Sequence, residues 1–230
     1  MKQCLITGAN RGIGLELARS YLRRGWHIHA CCRNPQKAGD LHQLVADNLG
    51  KVTLHSLDVT KDVAVAALAE TLKGKPIDLL INNAGIKGSD RQSLDDVDYG
   101  EWAEVFAVNT MAPLRVVQAL LPNLKASDNA KIVTISSQLG ALSYPGGGRY
   151  VYRSTKGAVN MVMTLLARDL KPEGITCLLF HPGWVKTDMG GEQADITARE
   201  SAEGIASTTD NMGLKDTGRF LKWNGESHDW

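Results

Sequence analysis

The segment YVYRSTK, Tyr150 to Lys156, sets a phenol and an ammonium four residues apart. Of the five tyrosines, Tyr152 alone has a lysine at i+4. On a helix those positions share a face, so the two groups project together. A free phenol titrates near pH ~10 and a free ammonium near ~10.4. A cation beside a phenol favours phenolate, which predicts a lowered pKa for Tyr152. A tyrosine poised nearer neutrality donates a proton to a carbonyl oxygen or takes one from an alcohol. The same spacing also occurs as an ordinary contact on a helix surface. Its meaning depends on what the rest of the chain brings beside it.

A second chemistry-bearing stretch is TGANRGIG, with Gly8, Gly12 and Gly14 framing Asn10, Arg11 and Ile13. Glycines serve where a strand turns sharply into a helix and a phosphate must approach bare backbone. The helix that follows offers free N–H groups and the positive end of its dipole to a pyrophosphate. The spacing Gly-x3-Gly-x-Gly departs from the Gly-x-Gly-x-x-Gly fingerprint, and a tight turn without ligand gives the same pattern. Further along, CCRNP has no acid from Cys31 to Pro35, where a carboxylate would hold a ribose 2′-hydroxyl. It has Arg33 instead. With Arg11 this makes two guanidiniums suited to a 2′-phosphate. NADP is the expected cofactor, with NAD less favoured.

These residues need a frame that gathers them. Apolar runs QCLIT, HIHACC, KVTLHSL, IDLLIN, AKIVTIS and ITCLLF read as strands covered on both faces. Segments of helical period alternate with them. They include Ile13 to Leu22, VAVAALAETLK, WAEVFAVNTMAPLRVVQALLPNLK with Pro113 as a kink point, and GAVNMVMTLLARDLK. The alternation predicts an α/β fold: a doubly wound parallel sheet of Rossmann type, three layers, one domain over residues 1–230. Loops at the carboxyl ends of such strands bind ligands. The glycine turn, NNAG (Asn82 to Gly85) and SSQLG (Ser136, Ser137) all follow strands. Asn109 interrupts an apolar helix, and a buried amide there needs partners, either at a functional site or across the Pro113 kink. GRFLKW reads as a last strand. Residues 187–212 are the least regular, with ITARESAEGIAS as a short amphipathic helix.

In order and spacing, TGANRGIG, LDVT, NNAG, Asn109, the serine pair, YRSTK and PGWVKTDM closely resemble the short-chain dehydrogenase/reductase family. The resemblance covers essentially the whole chain. It implies an Asn–Ser–Tyr–Lys tetrad and NAD(P). Tyr152 matches the acid/base, and Lys156 the residue that holds the nicotinamide ribose and lowers the tyrosine pKa. Asn109 matches the support of a proton-relay water. Ser137 matches the serine, with Ser136 the fallback. Ser137 lies fifteen residues before Tyr152, farther than usual in the family, so SYPGGGRY carries a small insertion. Gly8, Asn10, Arg11, Gly12, Ile13, Gly14 and Arg33 match the cofactor turn and its selectivity point. Asp58 and Val59 match the adenine contacts, and Asn82, Ala84 and Gly85 the loop beside the adenosine ribose. Pro182, Gly183, Val185 and Thr187 match the nicotinamide segment, and 187–212 the substrate loop. The ending and PGWVKTDMGG look like the sniffer/C-factor type of carbonyl reductase.

The resemblance implies an oxidoreductase that moves a hydride between NADP(H) and a small carbonyl or alcohol. It leaves two other readings: an NAD(P)-binding signalling protein of C-factor type with little turnover, and an epimerase or dehydratase. It also implies a homodimer or homotetramer. Composition narrows the rest. Hydrophobic content is 43%, charged content 22% and net charge +1, which suggests neither nucleic acid nor membrane as a partner. The six histidines show no metal-ligand spacing. Cys4, Cys31, Cys32 and Cys177 sit in strand-like runs without a CxxC, as buried thiols do. No run is expected to span a membrane, and the first apolar run is too short for a signal peptide. A cytoplasmic protein is expected.

Overall fold

Runs of Ile, Leu, Val and Cys with little polar alternation are stable only with both faces covered, and the structure covers them. The computed structural model describes all 230 residues. Along the chain come β1 (Gln3–Thr7), α1 (Gly12–Arg23), β2 (His27–Cys32), α2 (Gly39–Asp47), β3 (Val52–Ser56), α3 (Asp62–Thr71) and β4 (Leu79–Asn82). Then follow β5 (Gln92–Ser93), β6 (Asp96–Val97), α4 (Tyr99–Phe106), α5 (Ala112–Lys125), β7 (Lys131–Ile135) and α6 (Tyr150–Leu170). The last are β8 (Thr176–His181), β9 (Val185–Lys186), β10 (Ile196–Thr197), α7 (Ala198–Asn211) and β11 (Arg219–Lys222).

Seven strands form one sheet in the order β11-β8-β7-β4-β1-β2-β3, with every pairing parallel. Successive strand residues point to opposite faces. Thus Leu5 joins a core with α3, α5 and α6, while Ile6 joins one with α1, α2 and α7. This is the doubly wound, three-layer Rossmann architecture. The strand order reverses between β1 and β4, and the ligand crevice of such sheets opens at that point.

The segment read as one helix from Trp102 to Lys125 is α4 and α5 joined by a π-helical turn, Ala107–Met111. Proline lacks the N–H that would continue the regular ladder, and the widened turn lies just before Pro113. By length and composition Tyr99–Lys125 is apolar enough to cross a membrane, contrary to the expectation from sequence. Its apolar residues Val105, Val116, Val117, Leu120 and Leu124 are buried within the fold. The region 187–212 contains the amphipathic helix read there, extended to Asn211. Its second half is α7, started by a Thr197–Glu200 capping box and buried through Ala202, Ile205 and Ala206. Arg24 ties α1 to α7, at 2.9 Å from Glu203 and 3.0 Å from Asp210.

The strands that carry the glycine turn and Arg33 are cross-linked by histidines. Buried His29 on β2 meets His55 at 3.0 Å and Gln3 at 3.1 Å, while His27 meets Thr53 at 3.0 Å. Burial first, then His55, His27 and Lys75, bring His29 down to about 3. An unfolded histidine titrates near ~6.5. The folded state therefore disfavours the charged form. Stability is complete above ~6.5 and is lost as pH falls below it. The expected outcome is that wild type loses about 2 kcal/mol more than His29→Gln between pH 7 and pH 5 in urea unfolding. Parallel losses would refute the assignment.

Candidate functional site

The carboxyl ends of β1, β2, β4, β7 and β8 open on a cleft of about 1000 Å³. At its floor the glycine turn presses on the loop after β4. A Cβ on Gly14 would lie 2.3 Å from the Gly8 carbonyl oxygen and 2.4 Å from Asn83 Nδ2, so only glycine fits. Asn83 Nδ2 donates to the carbonyls of Thr7 and Gly8, each at 3.0 Å. The α1 N-terminus has no side-chain cap. Its first N–H groups and the bare glycine backbone fit a diphosphate.

Gly8, Asn10, Arg11, Gly12, Ile13, Gly14, Arg33, Asp58, Val59, Ala84, Gly85, Pro182 and Thr187 line this cleft. Three residues expected there do not. Asn82 is buried beneath it, beside Thr7, Val59 and Val108, and Asn83 takes its place at the cleft. The strand's alternation explains this: neighbouring asparagines point apart. Val185 is buried in its pairing with β10, and Gly183 lies against Ile196 and Trp223. Three cations that sequence reasoning passed over also line the cleft with Arg33 and Arg11: Lys37 and Lys61, just past the quoted motifs, and Lys186, inside PGWVKTDM. Asp58 turns toward Thr60, accepting from its N–H at 2.9 Å and its hydroxyl at 2.7 Å, which holds the carboxyl below its usual range. Arg11 pairs with Asp188 at 2.5 Å across the mouth.

Tyr152 and Lys156 stand on the first turns of α6. Lys156 is buried and donates to the Ile135 carbonyl at 2.9 Å. Burial brings its ammonium down to about 8. Its Nζ lies over the Tyr152 ring, 5.8 Å from the centroid. The phenol is raised, contrary to the sequence expectation. Burial is the largest cause, and the Ser137 hydroxyl and the Arg149 charge only partly offset it. The lysine's proton is directed at a backbone carbonyl, and burial is a quantity that residue spacing does not carry.

The two serines separate cleanly. Ser136 lines the cleft and donates to Asn160 Oδ1 at 2.5 Å, whereas Ser137 Oγ accepts from Leu139 N–H at 3.1 Å and acts to lower the Tyr152 phenol. A Cβ on Gly140 would lie 2.5 Å from the Lys156 carbonyl carbon, so this turn rests directly on α6. Ser137 therefore lies near Tyr152 despite the long spacing, and the extra residues form the loop that follows. Asn109 sits in the π turn, buried, with its amide fully used. Its Oδ1 accepts from Ile86 N–H at 2.9 Å, and its Nδ2 donates to the Ile86 carbonyl at 2.9 Å and Thr155 Oγ1 at 3.1 Å. Asn160 and Thr155, which anchor these groups, were not legible as partners without the helix face that α6 presents.

The sequence profile of the short chain dehydrogenase family matches residues 2–197. The chain belongs to that family. Among its relatives, C-signal of Myxococcus xanthus is 39% identical over 165 residues, 71% of this chain and 99% of that protein. The NADPH-bound carbonyl reductase from chicken fatty liver is 35% identical with a TM-score of 0.92, over 100% of this chain and 99% of that one. Carbonyl reductase Sniffer of D. melanogaster is 32% identical with a TM-score of 0.93 over 100% of both. In this short-chain dehydrogenase most of the motif residues, Tyr152 and Lys156 among them, line one cleft.

The depressed ammonium of Lys156 has a thermodynamic signature. A base lowered from 10.5 to about 8 is penalised while charged, so stability rises with pH across that interval. Wild type is expected to gain on the order of 3 kcal/mol relative to Lys156→Met between those limits, by denaturant unfolding. A constant difference between the two proteins would show that Lys156 is not held in a desolvated site.

Proposed function

We propose that this chain is an NADPH-dependent carbonyl reductase. The observation that carries the reading is the Tyr152 ring beneath the ammonium of buried Lys156, 5.8 Å from Nζ to centroid, in a cleft lined by a glycine turn. NADPH, when bound, supplies a hydride to a carbonyl carbon. The chain supplies the rest. Ser137 orients the carbonyl oxygen and Tyr152 gives it a proton. The raised phenol keeps that proton at neutral pH, which suits reduction; alcohol oxidation requires phenolate and higher pH. Lys156, charged below about pH 8, stabilises the phenolate left behind and holds the nicotinamide ribose. Asn109, its amide committed to Ile86 and Thr155, holds the loop after β4 against α6.

The cations of the cleft support the choice of cofactor. Arg11, Arg33, Lys37 and Lys61 line it, and a 2′-phosphate gains from each nearby cation. The chicken enzyme's bound NADPH supports the same reading. The substrate is a small carbonyl compound or alcohol, admitted beside the loop that begins at Thr187. Buried free cysteines are consistent with a reducing, cytoplasmic setting. A second reading, an NAD(P)-binding signalling protein, rests on the match to C-signal; it requires cofactor binding without appreciable turnover.

The deciding experiment is NADPH oxidation against aldehydes, ketones and quinones, with Tyr152→Phe alongside. Tyr152→Phe is expected to keep NADPH affinity and lose about 10²–10⁴-fold in single-turnover hydride transfer. Retention of more than about a tenth of the wild-type rate would reduce the Tyr–Lys pair to a structural contact. Binding of NADH tighter than NADPH would overturn the cofactor assignment.

We also infer a homodimer or homotetramer built on α4, α5 and α6. Met111, Met161 and Leu165 are exposed apolar residues on or between these helices, and most soluble oligomers close with twofold symmetry. Light scattering is expected to return a multiple of 24.9 kDa; the monomer mass at micromolar concentration would rule this out.

A further inference from the structure

The helix that presents Tyr152 begins without local help. Its N-cap, Arg149, makes no side-chain capping bond. Arg149 is also the one non-glycine residue in the left-handed region, at φ 50 and ψ 41. A residue with a Cβ is strained there and persists only where its surroundings hold it. The Arg149 carbonyl receives the first helical bond, from Arg153 N–H at 2.9 Å. The N–H of Tyr152, in the third helical position, has no acceptor within its own helix.

That acceptor comes from sixty residues away. Gln92 Oε1 receives the Tyr152 N–H at 2.9 Å. Gln92 is only 4% exposed, and its amide is otherwise directed inward. Its Nε2 donates to the carbonyls of Lys87 at 2.9 Å and Ser89 at 2.6 Å. Glu101 pins Ser89 in turn, through its N–H at 2.7 Å and its hydroxyl at 2.6 Å. The segment running into the β5–β6 hairpin starts at Ile86, which Asn109 already binds. The loop after β4 therefore grips the Tyr152 turn of α6 at two points: Ile86 through Asn109 and Thr155, and Gln92 through the Tyr152 backbone.

We infer that Gln92 is a positioning residue: it caps α6 from the hairpin and sets where the Tyr152 phenol stands relative to Ser137. It touches no substrate atom and acts through the tyrosine's backbone. A local cap residue would fix the helix start but not its distance from the β4 loop. A cap supplied from the hairpin fixes both. The inference rests on the reading of Tyr152 as proton donor for its catalytic consequence, and on geometry alone for its structural one.

Two measurements on the full chain separate those parts. Amide exchange at Tyr152, followed by NMR without cofactor, is expected to accelerate at least ten-fold in Gln92→Met, which keeps the side-chain length but removes the acceptor. Gln92→Glu retains an acceptor oxygen, favoured at a helix N-terminus, and is expected to keep the amide protected while losing the donors to Lys87 and Ser89. Gln92→Glu also answers if Gln92→Met does not fold. In turnover, Gln92→Met is expected to lower kcat at least ten-fold, with the KM for the carbonyl and the NADPH affinity within about three-fold, since misplacement of a reacting group falls on the chemical step. Unchanged Tyr152 exchange in Gln92→Met, or loss of protection in Gln92→Glu equal to that in Gln92→Met, would overturn the inference. A wild type that reduces no carbonyl would instead sink the reductase reading and leave the exchange result to decide the capping role.

Discussion

Lys156 carries an ammonium into a site from which water is nearly excluded, and one backbone carbonyl, that of Ile135, receives it at 2.9 Å. Much of the surrounding structure serves that burial. The carbonyl belongs to the last residue of β7, so the strand must end where α6 passes. The turn after it must press onto the helix backbone, which Gly140 allows and a side chain would prevent. An uncompensated charge in such surroundings is costly, and the lowered basicity of Lys156 measures how incompletely one carbonyl replaces water. The site therefore holds a group that gains from any further acceptor or negative charge brought beside it. A phenolate and a ribose hydroxyl are both of that kind.

Around this charge, polar side chains are held in fixed directions by partners that are themselves buried. Ser136 is committed to Asn160, which leaves Ser137 to face the tyrosine. Asn109 uses its whole amide on Ile86 and Thr155. Such networks specify a geometry because each member leaves an unsatisfied group if it moves. The cations Arg11, Arg33, Lys37 and Lys61 of the same cleft are exposed by comparison. Arg11 is even engaged with Asp188 across the mouth, and exposed pairs of this kind contribute little stability. The cleft thus combines buried, hydrogen-bonded polar groups with exposed cations.

Much of this was legible in the sequence. The six apolar runs became strands of the central sheet because strands buried on both faces need no polar alternation to be recognised. GRFLKW became the seventh. The glycine turn, Arg33, Tyr152 and Lys156 reached one cleft because each follows a strand of a parallel sheet. What was not legible depends on direction and depth. NNAG does not say which asparagine faces the cleft; the pleat turns Asn83 toward it. SSQLG does not distinguish its serines until Asn160 takes one of them. The sign of the Tyr152 shift follows burial, and burial is a property of the assembled fold. Gln92 lies in a polar stretch, RQSLDD, that looks like surface loop, and its partner is a backbone N–H with no sequence signature at all.

The π turn at Ala107–Met111 has a consequence for chain length. A regular α-helix advances about 100° per residue, and a π turn accommodates one residue more than its α counterpart. Deleting a single residue there would restore an uninterrupted helix. The flanking helices would keep their faces, because the widened turn is what absorbs the extra residue. Trp102, whose indole N–H meets Ser154 on α6 at 2.9 Å, would stay opposite its partner. Asn109 stands inside the widened turn, so the change would fall on the position from which it reaches both Ile86 and Thr155. This segment should tolerate exchange of its exposed side chains far better than any change in their number. The length of this segment constrains the site more tightly than the identity of its exposed residues.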